Sequence, residues 1–531
     1  MSMFNTPRPF RGVPSPSPQD LQDLEPQKWV EGQINGGMIT TIEPANIPLT
    51  ALQLAQNATV RYDRTTRRAG ASLFTPSKPD SNAVLALAYV KLKDGSVYLL
   101  RHTASSIYAL NGASWVAVTG SALAGTAEDR IQYVDVLNTY CFSNNGADPI
   151  QTIDFTASTY AQLGDAPAYR YITGFFNRVV GAALQGANEV QIGWSGDGNP
   201  TEWNPAVDQS AGNAPLIDTP ADLSDFIKGI FAFSNVMVIL REKSVWLATK
   251  QAIPTNPFYF YTAIPGVGCD CPYSAQMVNG GIAWADVRTR SVYAYAPGGA
   301  LEPIGRAVED QIFASLNDVN TVFSAYNATY DEYTLFIPAV ASSVAQAWTY
   351  NFRTKAWAYN EYINITIASD FPVEIATLAY QALAGTYAGL TGTYAGLSPT
   401  SLVDTRVFGK NTGDIIYADI NADNDAGDAF DTFFMSKTFV VPSLDIMIEQ
   451  IRIEYVAQRA GPITLEYSKD DGNTWYTAKT IIPTVLNQAA LLIHRRAIHC
   501  RRFIWRVTAD AGVFTLLSYE VWVTKEGESR R

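Results

Sequence analysis

The chain has 531 residues, of which 47% are hydrophobic and 17% charged, and its formal net charge is −12. That length suits two to four ordinary domains or one large repeat domain with satellites, and the sparse charge leaves much of the surface neutral or covered by neighbours. The acidic balance excludes wrapping of nucleic acid by phosphate neutralisation; it would let DNA slide past without sticking, although ordinary solubility is the preferred account of it.

The opening MSMFNTPRPFRGVPSPSPQD has no apolar h-region, so neither a signal peptide nor an anchor is expected. Residues 1–45 are rich in Pro, Gln, Asp and Gly and read as an extended arm. Residues 46–60 read as a short helix or an irregular strand. They lead into VRYDRTTRRAGASLF, whose alternation around Asp63-Arg64-Thr65-Thr66 predicts a hairpin.

From about 83 to 420, short runs rich in Val, Ile, Tyr and Phe alternate with turns such as Lys93-Asp94-Gly95-Ser96, Arg241-Glu242-Lys243-Ser244 and Arg288-Thr289-Arg290-Ser291. SVYLLRHTASSIYAL, IKGIFAFSNVMVILREKSVWLAT and GGIAWADVRTRSVYAYAP are examples. The content of 28 Tyr and 11 Trp favours strands over helices. The units recur every 35–50 residues or so, the spacing of propeller blades. A blade of three or four strands cannot bury both faces alone, and radial packing solves that problem with short edges. The expected fold is therefore all-β, a β-propeller of about seven blade-like units spanning 46–435. β-sandwiches in series are the alternative. A short helix is expected at 307–318, with Val308, Ile312, Phe313 and Leu316 on one face. Residues 366–400, which carry the duplicate GTYAGLT (385–391) and GTYAGLS (392–398), read as an ordered excursion between blades. Strands at 447–456, 462–467, 474–480, 489–494, 501–507 and 513–523 suggest a C-terminal β-sandwich over 436–525, followed by a frayed tail at 526–531. No run is long enough to span a bilayer, so no membrane insertion is expected.

The sharpest motif is an Asp-box, S-x-D-x-G-x-x-W, at Ser468, Asp470, Gly472 and Trp475. The carboxylate caps turn N–H groups, Gly supplies positive φ, and Trp packs beneath the hairpin. Sialidases carry such boxes away from their chemistry. A sialidase would also need an arginine cluster around the substrate carboxylate and a Tyr/Glu nucleophile pair. Arg495, Arg496, Arg501, Arg502 and Arg506 cluster in sequence beside the box; the structural reading is preferred. A second motif runs Trp194-Ser195-Gly196-Asp197-Gly198-Asn199-Pro200 to Trp203. Asp197 and Asn199 flank a glycine as in some calcium loops, but no carboxylates follow at EF-hand spacing, and a strand-to-strand turn packed by Trp194 and Trp203 is preferred. Cys141, Cys269, Cys271 and Cys500 form no CxxC pair. The CxC at 269–271 reads as buried reduced thiols rather than a metal pair. His102, His494 and His499 lie in no catalytic motif, and neither a nucleophile elbow nor a phosphate loop is present. The basic run 494–502 reads as solvated strand ends. No enzymatic activity, cofactor or metal is expected.

Several segments in order resemble the β-propeller tail hub or nozzle proteins of short-tailed bacteriophages. These are AQNATVRYDRTTRRAG, NRVVGAALQGANEVQIGWSGDGNPTEWN, IKGIFAFSNVMVILREKSVWL, GVGCDCPYSAQMVNGGIAWAD, AWTYNFRTKAWAYNEY, TYAGLTGTYAGL and the Asp-box segment, together covering about 55–525. The resemblance implies a virion structural protein that forms a ring, six-fold by analogy, below the portal and its adaptor. Such a ring encloses the channel for exiting double-stranded DNA, helps retain the packaged genome and anchors tail fibres or spikes. It would assemble in the host cytoplasm. A carbohydrate-active or glycan-binding propeller, with Trp194, Trp203 and Trp475 stacking on sugars, is the alternative.

Overall fold

A computed structural model describes residues 27–31, 33–112, 114–126, 129–186, 188–339, 343–376, 400–440 and 445–526. The chain is all-β. Its middle is a succession of four-stranded antiparallel meanders, the architecture of a β-propeller. The first quartet runs from Ala86–Lys91 to Trp115–Val118 and the second from Ile131–Val136 to Thr159–Gln162. The third runs from Tyr169–Phe175 to Gly212–Pro215, the fourth from Ile227–Ala232 to Phe258–Pro265 and the fifth from Gln276–Val278 to Leu301–Pro303. Phe323–Asn327, Glu332–Pro338, Val344–Asn351 and Ala356–Ile363 form the next. The last combines Ile365–Ala376, Thr400–Lys410 and Ile415–Asp419 with Gly70–Leu73 from the other end of the chain.

The first strands of the quartets pack on one another in turn. Ala86–Lys91 meets Ile131–Val136, Tyr169–Phe175 follows, then Ile227–Ala232. The turn Pro272–Ser274 leads on to Phe323–Asn327 and Ile365–Ala376, which returns to Ala86–Lys91. Apolar clusters fill the gaps between neighbouring sheets. Leu100, Ile107, Phe142 and Tyr160 join the first and second, while Val180, Trp194, Ile239 and Trp246 join the third and fourth. Leu87, Leu99, Val407 and Ile415 join the last to the first. Strands buried on both faces need apolar residues at successive positions rather than alternation, which explains runs such as Met237–Leu240 and Ile282–Ala285.

A second body lies against this circle. A six-stranded sheet holds Ala58–Arg61, Arg64–Arg67, Val513–Glu526, Asp445–Arg459 and Ala489–Cys500, with Gln27–Glu31 paired to Val513–Glu526. Facing it are Leu54–Gln56, Thr432–Met435, Arg502–Ala509, Ile463–Ser468 and Tyr476–Ile481, which continue the sheet begun by Phe323–Asn327. Phe434, Ile451, Ile453, Trp505, Val507, Leu516 and Tyr519 share one core between the two. All six strands expected between 447 and 523 are present. The two longest, of 15 and 14 residues, stay paired by taking up bulges at Ile448/Gln450, Glu454/Tyr455 and Ala457/Arg459.

Three local expectations differ in detail. The early hairpin turns at Tyr62-Asp63, not around Asp63–Thr66, since Arg61 pairs with Arg64 and both central residues have positive φ. The expected 307–318 helix is confined to Glu309–Ser315, with Val308, Ile312 and Phe313 buried as anticipated. The ends of the expected 366–400 excursion are paired strands, from Ile367↔Gly409 to Ala376↔Thr400. The heptad duplicate at 385–398 lies outside the described residues, as do the tail 527–531 and most of the 1–45 arm.

Candidate functional site

The segment 54–73 is where the two bodies are joined. Leu54–Gln56 lies between Ala356–Ile363, which it meets in parallel, and Thr432–Met435, which it meets antiparallel. The hairpin Ala58–Arg67 pairs through Thr65 and Thr66 with Leu516 and Thr515. Gly70–Leu73 then completes the last quartet beside Ile415–Asp419. Twenty residues thus enter three sheets.

Arginines hold this crossing. Arg68 is 3% exposed. Its Nη1 and Nη2 donate to Asp425 Oδ1 and Oδ2 at 2.8 and 2.7 Å, its Nε donates to Asn57 Oδ1 at 3.1 Å, and Nη2 also reaches the Glu361 carbonyl at 2.8 Å. The guanidinium lies between two rings, 3.6 Å from Phe430 and 4.3 Å from Tyr362. A bidentate pair of this kind fixes orientation as well as charge. Arg67 points the other way, donating to the carbonyls of Gly512, Asp423, Phe430 and Asp510. Burial, followed by the neighbouring Arg68 charge, lowers its pKa to about 10. Arg61 grips Glu332 through two bonds of 2.7 and 2.6 Å, with the Tyr330 ring 3.6 Å away. Asn57, with positive φ, donates to the Asp431 carbonyl at 2.6 Å.

Sequence reasoning located this hairpin but not the role of its arginines. The signal was the Arg67-Arg68 doublet in a strand context, facing the Asp-rich stretch 419–431.

The Asp-box closes the hairpin between Ile463–Ser468 and Tyr476–Ile481 as expected. Asp470 Oδ1 accepts from the Ser468 hydroxyl at 2.7 Å and the Thr474 N–H at 2.8 Å. Ser468 Oγ accepts from the Gly472 N–H at 2.9 Å, and Gly472 sits at φ +88°. Trp475 is half-buried, with the Arg506 guanidinium 4.0 Å over its ring, and Arg506 donates to Glu466 at 2.6 Å. Hydrogen bonds from the Thr474 N–H and the Ser468 and Thr474 side chains hold the Asp470 carboxyl below its ordinary range. That lowered pKa means stability present above the unfolded value and lost as pH falls through the folded one. Asp470→Ala should therefore melt below wild type at neutral pH, with the two curves converging under acid, in thermal melts across a pH series. A constant gap at every pH would refute the carboxylate's role.

The second motif is likewise a packed turn. Trp194 lies against Phe258, rings 5.4 Å apart, and Trp203 against Tyr169 at 5.9 Å, its Nε1 donating to the Pro200 carbonyl at 3.1 Å. Ser195 Oγ accepts from the Val179 N–H at 3.1 Å. Asp197 is half exposed and meets Arg178 at 3.5 Å. No group of three or more metal-ligating side chains gathers among the described residues.

Cys269 and Cys271 are fully buried free thiols, both pushed up by burial; Cys269 Sγ donates to the Cys271 carbonyl at 3.2 Å. His102 is buried, held near neutral by burial that lowers its pKa to about 3, and bonds the Tyr133 hydroxyl at 2.9 Å. The arginines beside the Asp-box are dispersed. Arg502 bonds Asp471, Arg506 bonds Glu466, and Arg495, on the six-stranded sheet, donates to its cross-strand neighbour Gln450.

No family model and no curated protein matches the chain. Among solved structures, the extracellular domain of a hybrid two-component system from B. thetaiotaomicron matches at 11% identity and TM-score 0.39, covering 66% of this chain and 39% of that one. PorZ, a surface component of the type-IX secretion system of Porphyromonas gingivalis, matches at 11% identity and TM-score 0.34, covering 75% and 46%. The WD40 domain of SCAP from fission yeast matches at 12% identity and TM-score 0.29, covering 64% and 85%. The chain spans less than half the length of the first two.

Proposed function

We propose that the chain is a structural subunit of a bacteriophage tail, a hub or nozzle protein acting in a homo-hexameric ring beneath the portal and adaptor. In this reading the successive quartets are seven blades, the last closed by Gly70–Leu73. The second body is a β-sandwich that draws strands from both ends of the chain and carries the Asp-box. The observation that carries the proposal is the crossing at 54–73, which locks propeller and sandwich into one body through three sheets and a buried ion pair. A part that retains packaged DNA and anchors fibres must transmit force without separating its domains. The segments that resemble the tail family include this crossing, AQNATVRYDRTTRRAG.

The DNA channel belongs between copies, not along one propeller's axis. Arg130 of the second quartet reaches to 5.3 Å from the Phe323 ring of the sixth, which closes the bore of a single chain to a duplex. An acidic channel wall would keep the exiting duplex from adhering. The glycan alternative loses its stacking platforms, because Trp194 and Trp203 are 2% and 7% exposed and Arg506 covers Trp475.

Size-exclusion chromatography with light scattering, followed by negative-stain microscopy of the full chain, tests the proposal. A six-fold ring that binds a portal–adaptor complex is expected. A chain that stays monomeric at high concentration and ignores that complex overturns it.

A further inference from the structure

We propose that each copy of the chain docks the open strand edges of its second body onto a groove in the propeller of the next copy. The contact rests on the ring proposed above and supplies the two surfaces that build it.

The first surface is where both sheets of the second body end. Tyr476–Ile481 is the last strand of one sheet and Ala489–Cys500 the last of the other, each paired on one side only. The two edges lie together, with Lys479 Nζ 3.5 Å from the Ile493 carbonyl, and residues 482–488 join them directly. Open edges are normally shortened or masked by charge, because they invite another chain. Here Ile482, Val485, Leu486 and Leu491 stand 41–66% exposed. The charge beside them has one sign, since no Asp or Glu occurs between Gly472 and Ala509. Arg502 and Arg506 are answered by Asp471 and Glu466, but Lys479 and Arg495 meet neutral oxygens, and Arg496 is exposed next to them. The carboxylates of the adjacent strand, Glu449 and Glu454, are taken by the Thr524 and Ser518 hydroxyls.

The second surface is a groove of about 530 Å³ between the third and fourth quartets. Pro205 and Gln209 line it from the third, Thr255 and Asn256 from the fourth, and the outer strand Gly212–Pro215 runs along it. Val207 and Ile253, in the same two loops, are 72% and 52% exposed. Here the charge is opposite, since no Lys or Arg occurs between Val179 and Ile227. Ser210 Oγ accepts from the Asp197 N–H at 2.8 Å and donates to Asp208 at 2.7 Å, and the Gly196 N–H donates to the Glu202 carbonyl at 2.8 Å. Three carboxylate residues are thereby gathered in the loop that forms one side of the groove, with Arg178 3.5 Å from Asp197 behind them.

An apolar patch fringed by bases thus matches an apolar groove fringed by acids, the complementarity that fixes partner and register. The third and fourth quartets are the farthest round the circle from the sixth and the last, with which the second body shares strands or chain, so the two surfaces meet between copies and not within one. A contact between unlike surfaces repeats from copy to copy and closes as a ring when the rotation allows.

Single-cysteine variants of the full chain test the contact. Val207→Cys and Val485→Cys, treated with a short bismaleimide, should give a covalent dimer when mixed and only the wild-type background when alone, a background set by the half-buried Cys500. Light scattering reads the charges. Arg495→Glu/Arg496→Glu and Asp197→Lys/Glu202→Lys should each raise the concentration of half assembly about tenfold or more, with melting midpoints near wild type because both patches lie on the surface. Mixing the two double variants should restore assembly, since each reversed surface then meets its reversed partner. A wild-type assembly undisturbed by both reversals, or no mixed crosslink above the single-variant yields, overturns this contact and leaves the ring itself standing. A wild-type chain that stays monomeric at high concentration overturns both.

Discussion

Arg68→Ala should destabilise the protein by about 3–5 kcal/mol, because it strands the Asp425 carboxylate in a site where the side chain is 5% exposed. The loss is larger than a surface ion pair could cause. Such pairs are worth at most about 1 kcal/mol, whereas here the solvent cannot replace the missing partner. The Asn57 side chain would lose a donor at the same time, and the stack between Phe430 and Tyr362 would lose its middle layer. Asp425→Ala should be comparably damaging, since it leaves the guanidinium buried and half satisfied. The double variant Arg68→Met/Asp425→Leu should recover much of the loss, because two apolar groups of similar size bury without desolvating charge. Urea denaturation followed by tryptophan fluorescence measures all three. If Arg68→Ala unfolds within about 1 kcal/mol of wild type, the crossing does not hold the two bodies together.

The propeller pattern was legible because every quartet but the last is local. Within each of these the strands follow one another, the turns are short, and the apolar runs match strands buried on both faces. What joins sequence-distant strands was not legible. Gly70–Leu73 pairs with residues more than 340 positions away, whereas its four residues, GASL, read as the returning arm of the early hairpin, which in fact ends at Arg67. The same limit hid the contribution of 54–67 to the C-terminal sheets, so a boundary drawn near 436 from local composition misses strands supplied from the other end. Turn chemistry misled in a smaller way. Tyr62-Asp63, Leu137-Asn138 and Phe176-Asn177 all place two positive-φ residues between adjacent strands. A bulky first residue there masks the Asn-Gly signal by which such hairpins are usually read. The Asp-box was legible because its hydrogen bonds run within seven residues. The ion pairs of Arg61 and Arg68 were not, since charge in a sequence does not name its partner.

Gly70→Val should open the propeller at its closing strand. Gly70 does not have positive φ, so its requirement is space rather than conformation. A Cβ there would lie 2.3 Å from the Asn424 carbonyl oxygen, 2.8 Å from that of Ala422 and 2.8 Å from the Asn424 nitrogen. All three are backbone atoms, so no rotamer change relieves the clash. The same backbone supplies the bonds that seat the strand, since the Gly70 and Ala71 N–H groups donate to Ala422 and Asn424 at 2.9 Å each. Moving it away to admit a side chain breaks those bonds and uncouples Ala71, which is 2% exposed and packs with Phe336, Phe408 and Ile416. Overpacking alone costs about 1–3 kcal/mol, and the lost bonds add about 1 kcal/mol each. The damage should be local before it is global, because the freed edge is that of Ile415–Asp419. Limited proteolysis with mass spectrometry should find new early cuts between 400 and 420 in Gly70→Val, while the second to fifth quartets stay protected at low urea. Gly70→Ala should show the same cuts at a slower rate. Wild-type protease resistance in Gly70→Val would mean that the circle does not depend on this strand for its closure.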